Sequence, residues 1–178
     1  MSSSQIEVIP AAELDASVRA EILALCSDAY EEDFTPYLDL LSQAVHVLLR
    51  VDGKLVGHAA WVARQLYVEN LDQPLRAAYV EAVAVPTALQ GRGYGRTVMS
   101  ALPALFGEFD IAALSPSEVP FYESLGWELW QGPLSYLHEG GEFIVPDEEV
   151  MILRLAKTPA ALDTLATLTA EWRPGDVW

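Results

Sequence analysis

The chain has 178 residues and a mass of 19.5 kDa, and its 10 Lys and Arg face 26 Asp and Glu, giving a net charge of -16 and a pI of about 4.3. That balance argues against nucleic acid, whose binding needs cations to displace counterions from phosphates, and against anionic membrane surfaces. It leaves a neutral or cationic partner, or charge that serves solubility alone. With 52% hydrophobic residues and a mean hydropathy of +0.20, the sequence lacks the signature of disorder. Its length suits one domain over residues 1–178. Met1 to Pro10 has neither a basic nor an apolar leader region, and no run reaches membrane-spanning length, so a cytoplasmic protein with no membrane partner is expected.

In chain order, Leu14, Val18, Ile22, Leu25 and Ala29 recur at helical spacing and predict a helix over residues 11–29. Residues 33–41 suit a short second helix. Residues 44–51 and 55–66 are rich in Val, Leu and Ala and flank Asp52-Gly53, a strong two-residue hairpin signal. A strand over 76–85 closes at Pro86, a helix follows over 97–106, and Ile111 to Leu114 suits a short buried strand. Residues 118–125 suit a short helix stopped at Gly126. Further strands are expected at 127–131, 134–137 and 149–155, while the tail from Pro159 to Trp178 carries apolar residues without a clear period. The alternation predicts an α/β (mixed α+β) fold, a mixed sheet packed by helices. Cys26 has no cysteine partner, and His46, His58 and His138 match no zinc spacing, so neither a disulfide nor a metal is expected and all four suit ordinary core or surface roles.

The stretch from Tyr79 to Thr97 carries most of the chemistry. In a regular strand, Ala78, Val80, Ala82 and Ala84 share one face and Tyr79, Glu81, Val83 and Val85 the other. A carboxylate at Glu81 in so apolar a strand either meets a cation in a structural ion pair or lies in an open cleft, because burying it alone is costly. Three glycines in five positions, Gly91, Gly93 and Gly95, then open a helix, where free N–H groups and the positive end of the macrodipole suit a phosphate. Arg92 and Arg96 add charge there, whereas no Lys or Arg occurs from Thr97 to Leu153. The loop is neither a Walker A sequence nor the Gly-x-Gly-x-x-Gly dinucleotide fingerprint.

Gln90-x-x-Gly93-x-Gly95 after a strand ending Val83-x-Val85-Pro86 resembles the GNAT family of acetyl-CoA-dependent N-acetyltransferases, as does Pro120 to Trp127 with its tyrosine. Asp33-Phe34-Thr35, Gly57-His58-Ala59, Leu114-Ser115 and the terminal Trp172 to Trp178 are similar to aminoglycoside 2′-N-acetyltransferases in particular, over nearly the whole chain. The sequence departs from that group at Ser42-Gln43-Ala44, where glycines are common, and in a compressed Asp147-Glu148-Glu149. The resemblance implies a mixed, mostly antiparallel sheet with acetyl-CoA in a cleft between splayed strands. It implies Val83, Val85, Gln90, Gly91, Arg92, Gly93, Tyr94, Gly95, Arg96 and Thr97 as the acetyl-CoA site, and a homodimer.

The same resemblance implies Glu81, Tyr122 and Trp178 as the catalytic set. Glu81 serves as a general base or as an electrostatic anchor for an ammonium, which spacing does not separate. Tyr122 is either a proton donor to the leaving thiolate, with an ordinary phenol pKa near 10, or a core aromatic. The N–H of Val83 is the implied oxyanion donor. Asp33, Phe34, Glu81, Ser115, Glu148, Asp176 and Trp178, the last through its carboxylate, are the implied receptor for a cationic aminoglycoside. A GNAT acting on another small amine or a protein N-terminus, and a non-catalytic binder of acetyl-CoA or polycations, are the rival readings.

Overall fold

A computed structural model of the chain describes residues 3–178; Met1 and Ser2, at the head of the segment read for a leader, lie outside them. The chain forms two compact units. The first runs to Val62 and resumes from Val80 to Leu105, and the second comprises Ala63–Tyr79 and Phe106–Trp178.

In the first unit, strand β1 (Ser4–Pro10) pairs antiparallel with β2 (Val45–Val51), which pairs antiparallel with β3 (Lys54–Val68). The β2–β3 turn is Asp52-Gly53, both residues at positive φ (48° and 80°), as an Asp-Gly hairpin requires. Helix α1 (Ala16–Tyr30) starts later than the apolar spacing suggests: Asp15 caps it by accepting from the Val18 N–H at 2.8 Å, and residues 11–13 form a separate tight turn after Pro10. Helix α2 (Thr35–Leu40) follows. Ile22, Leu25 and Cys26 of α1 pack on Phe34, Leu38, Leu48 and Ala84. Arg50 on β2 joins three elements, with its guanidinium 3.0 Å from Glu7 and 2.7 Å from Glu21, and that pairing draws the Glu21 carboxyl below the usual range. Strand β4 (Leu75–Ala84) leads to helix α3 (Tyr94–Ala101). That helix approaches β3 at Gly57, where a Cβ would come within 2.9 Å of Val98 Cγ2.

The second unit adds β5 (Ile111–Leu114), α4 (Val119–Glu123), β6 (Glu128–Leu129), β7 (Leu134–His138), β8 (Gly141–Val145), β9 (Met151–Arg154) and β10 (Leu168–Glu171). Its strand order is β6–β9–β5–β4–β3–β10–β7–β8. Two pairings are parallel, β4 with β5 (Ala77 opposite Ile111) and β10 with β7 (Leu168 opposite Leu134). The pairings of β10 with β3, β5 with β9, β6 with β9 and β7 with β8 are antiparallel. The fold is thus a curled, mixed sheet flanked by helices, as the alternation of elements predicts. The tail, unassigned from sequence, supplies β10. Gly132 admits no side chain, because a Cβ there would sit 2.0 Å from the Ala166 carbonyl oxygen. Among the described residues no helix is long and apolar enough to cross a membrane, and no three His, Cys, Asp or Glu are grouped to hold a metal ion.

Candidate active site

Strand β4 is not regular where it carries Glu81. Ala82 has φ 50°, a left-handed conformation uncommon for a residue with a Cβ and typical of a bulge. The expected alternation of faces therefore does not run through Ala82. Glu81, Ala82 and Val83 are half-buried between buried Val80 and Ala84. The Ala82 carbonyl lies 2.7 Å from His58 Nδ1, and the Val83 carbonyl accepts from the Tyr30 hydroxyl at 3.1 Å.

Tyr30 also stacks on Phe34 (centroids 5.1 Å apart), whose other neighbour is Tyr37 at 5.4 Å. Phe34 is buried between them, and the rings that reach solvent are Tyr30 and Tyr37, which the sequence did not single out. Asp33 beside them is exposed and accepts from both the N–H and the hydroxyl of Thr35, at 3.0 and 2.6 Å. Those bonds hold its carboxyl below the usual range, so it is ionised at neutral pH.

The glycine loop has the form of an anion cradle. Gly91 and Gly93 are left-handed (φ 73° and 86°), and a Cβ on either would meet nothing within 4 Å, so backbone conformation rather than crowding calls for glycine. Gly93 caps α3 without any side-chain hydrogen bond to the first turn, which leaves N–H groups for a ligand. The helix starts at Tyr94, three residues earlier than expected, so Tyr94 to Thr97 form its first turn. Gln90 Nε2 donates to the Val85 carbonyl at 3.2 Å and Arg92 to the Ala88 carbonyl at 3.4 Å. Thr87 N–H donates to Asp28 at 2.7 Å, tying the loop to α1. These features fit a pyrophosphate.

Cys26 is buried, and burial pushes its thiol up to about 12. It is no nucleophile at neutral pH.

In the second unit, Ser115, Asp147, Glu148 and Glu149, with Pro116 and Pro146, line a recess of about 560 Å³. Burial, and then the neighbouring charge of Asp176, raise the Glu148 carboxyl above its ordinary value. The recess therefore gathers two of the residues the resemblance implied, Ser115 and Glu148, and the charge of a third, Asp176, acts on Glu148. Tyr122 is buried edge-on against Phe121 and Trp127, with centroids 5.0 and 6.3 Å away. Burial raises its phenol above the unperturbed value expected, against a bond from Ser117 that lowers it, so the hydroxyl stays protonated at neutral pH.

The tail is docked. Trp178 is 3% exposed. Arg64 on β3 donates to the Val177 carbonyl at 2.5 Å and the Glu171 carbonyl at 3.1 Å, and lies 4.7 Å from the Tyr79 ring and 6.0 Å from the Trp178 ring. Arg173 donates to the Asp176 carbonyl at 2.7 Å and covers the same Tyr79 ring at 5.2 Å. Arg64 was missed in the sequence; the available signal was a lone guanidinium in the strand expected over residues 55–66.

Residues 12–130 match the family model described as an acetyltransferase (GNAT) domain. The chain is 36% identical to an aminoglycoside 2′-N-acetyltransferase of Mycolicibacterium fortuitum, over 96% of this chain and 90% of that protein. Among solved structures it resembles the Escherichia coli GNAT family N-acetyltransferase YhbS, determined in complex with CoA, with TM-score 0.64 and 18% identity over 94% of this chain and 89% of that one. Escherichia coli ElaA is similar at TM-score 0.58 and 20% identity, over 84% of this chain and 99% of that one. A probable N-acyltransferase of Enterococcus faecalis V583 matches at TM-score 0.61 and 19% identity over 75% of this chain, which spans 33% of that longer chain. At these identities the structural matches speak for the fold.

Proposed function

The chain belongs to the GNAT acetyltransferase family, and on that footing we propose that it transfers the acetyl group of acetyl-CoA to the 2′-amine of an aminoglycoside. Val85 and the loop Gln90, Gly91, Arg92, Gly93, Tyr94, Gly95, Arg96 and Thr97 bind the cosubstrate, with the loop taking its pyrophosphate. Glu81 takes a proton from the substrate ammonium, directly or through water, because an alkylammonium has no lone pair. The freed amine attacks the thioester carbonyl, and the Val83 N–H donates to the oxygen as charge develops. The C–S bond then breaks as the carbonyl re-forms, the thiolate of coenzyme A takes the Tyr122 phenol proton, and the proton that the new amide nitrogen loses restores the phenol, directly or through water. Asp33, Glu148 and Asp176 pair with the ammonium groups, and Ser115 and Trp178 contribute to the same recognition.

The observation that carries this reading is the acidic recess. Its volume lies in the range of small-molecule sites. Asp147, Glu148 and Glu149 line it, and burial, then repulsion from the Asp176 charge, raise the Glu148 carboxyl above its ordinary value. A polycation relieves that repulsion. Identity to an aminoglycoside 2′-N-acetyltransferase over nearly the whole chain supports the same substrate class.

The test is thiol release from acetyl-CoA with kanamycin B, which has a 2′-amine, against kanamycin A, which has a 2′-hydroxyl at that position. Turnover confined to kanamycin B is expected. Equal turnover of the two would refute the 2′ assignment, and turnover of neither would favour another small amine.

A further inference from the structure

We infer that the buried His46–His58 pair is the positioning device of β4: it holds the left-handed residue Ala82 and so aims its neighbours Glu81 and Val83. The hydrogen-bond directions follow from chemistry alone. A carbonyl oxygen can only accept, so His58 Nδ1, 2.7 Å from the Ala82 oxygen, must carry a proton. In a neutral imidazole the other nitrogen, Nε2, is then an acceptor. It lies 2.9 Å from His46 Nδ1, which must therefore donate to it.

Both rings are almost wholly buried, at 1% exposure for His46 and none for His58. Burial pushes their pKa down to about 4 and about 3, so both stay neutral at physiological pH. The result is a chain of fixed direction, His46 N–H to His58, then His58 N–H to the Ala82 carbonyl.

Ala82 needs such a device. A left-handed alanine costs about 1–2 kcal/mol and persists only when its surroundings over-determine it. Its carbonyl is turned off the course a regular strand would give it, and the His58 N–H meets it there. On the next residue the Tyr30 hydroxyl takes the Val83 carbonyl, so consecutive carbonyls are each held by a side chain. Only the residue between Glu81 and Val83 is left-handed, so its setting decides where the Glu81 carboxylate and the Val83 N–H point.

The alternatives fail on the same atoms. The pair is no proton wire, because an amide carbonyl at its end does not take up a proton. It is no Cys–His dyad either. Cys26 Sγ lies 3.7 Å from His58 Nδ1, but that nitrogen already bears a proton and burial keeps the thiol protonated.

The catalytic consequence rests on the roles proposed for Glu81 and Val83, whereas the proton positions do not. Long-range 15N–1H NMR of the free protein should show both histidines as the Nδ1–H tautomer, with no titration between about pH 5 and 8. His58 as the Nε2–H tautomer would overturn the inference whatever the substrate proves to be. In kinetics with acetyl-CoA and kanamycin B, His58→Leu should lower kcat by about 10- to 100-fold, the scale on which misplaced catalytic groups act. The Kd for CoA should stay within about 3-fold, since the glycine loop is untouched. His58→Asn, whose amide nitrogen stands near the place of Nδ1, should recover most of the loss. A folded His58→Leu with unchanged kcat, or an equally stable His58→Asn that recovers nothing, would overturn the positioning role.

Discussion

Replacing Arg64 with Ala should loosen the tail without unfolding the protein. Its guanidinium makes two hydrogen bonds to tail carbonyls, at Val177 and Glu171, and lies over the Tyr79 and Trp178 rings. Arg64 is half-buried, and the carbonyls regain water when the tail opens, so each bond is worth about 1 kcal/mol and each ring contact about 0.5 kcal/mol. The sum, about 3 kcal/mol, raises the open population of the tail by about 100-fold. The loss should stay local, because β10 remains paired with β3 and β7 and the Trp172 N–H still donates to the Leu137 carbonyl at 2.8 Å. Hydrogen exchange read by mass spectrometry should therefore speed up over residues 173–178 and not in β10. The KM for kanamycin B should rise while that for acetyl-CoA holds. Arg64→Lys should recover little, since a point charge cannot span both carbonyls. Tail exchange altered by less than about 3-fold in Arg64→Ala would refute the clasp.

Two further outcomes depend on pH. Glu148 must be ionised to pair with an ammonium, and burial and Asp176 hold its proton on, so kcat/KM for kanamycin B should rise with pH through that elevated pKa. Asp176→Asn removes one of those two causes and should move the rising limb to lower pH; a limb that stays in place would refute the coupling. Stability should show the two histidines: their folded-state pKa values of about 4 and about 3 lie below the ordinary 6.5, so the unfolded chain binds protons that the folded chain refuses. The unfolding free energy from urea titration should hold above about pH 6.5 and fall below it, by up to about 1.4 kcal/mol per pH unit for each histidine. His58→Asn should have a shallower slope than wild type, and equal slopes would count against neutral burial.

Where the fold depends on neighbouring residues, the sequence discloses it. Asp52-Gly53 turns the β2–β3 hairpin and the glycine loop opens the helix at Tyr94, whereas the Asp15 cap, which the apolar spacing runs past, sets the start of α1. Three strands escape such reading, two because their partners are remote and one because its side chains face solvent. β1 pairs with residues more than thirty positions away, β10 lies between β3 and β7, whose paired residues are also at least thirty positions away, and β8 has its side chains largely exposed. An edge strand with an exposed face carries no alternating pattern to detect.

The site divides in the same way. Glu81 stood out as a carboxylate in an apolar strand, but nothing local predicts that Ala82, a poor residue for left-handed backbone, adopts it; the cause lies in His58, 24 positions earlier.

The charge of -16 also resolves by location. Arg19, Arg50, Arg154 and Lys157 are paired with carboxylates, and Arg64 and Arg173 are held over Tyr79. Asp147, Glu148 and Glu149 lie instead in the stretch from Thr97 to Leu153, which contains no Lys or Arg, so their own segment offers no counter-charge. Asp176 adds to the repulsion rather than relieving it, and after burial is the second cause that raises the Glu148 pKa. A cationic ligand supplies what the segment lacks, and its affinity should fall as salt screens those charges.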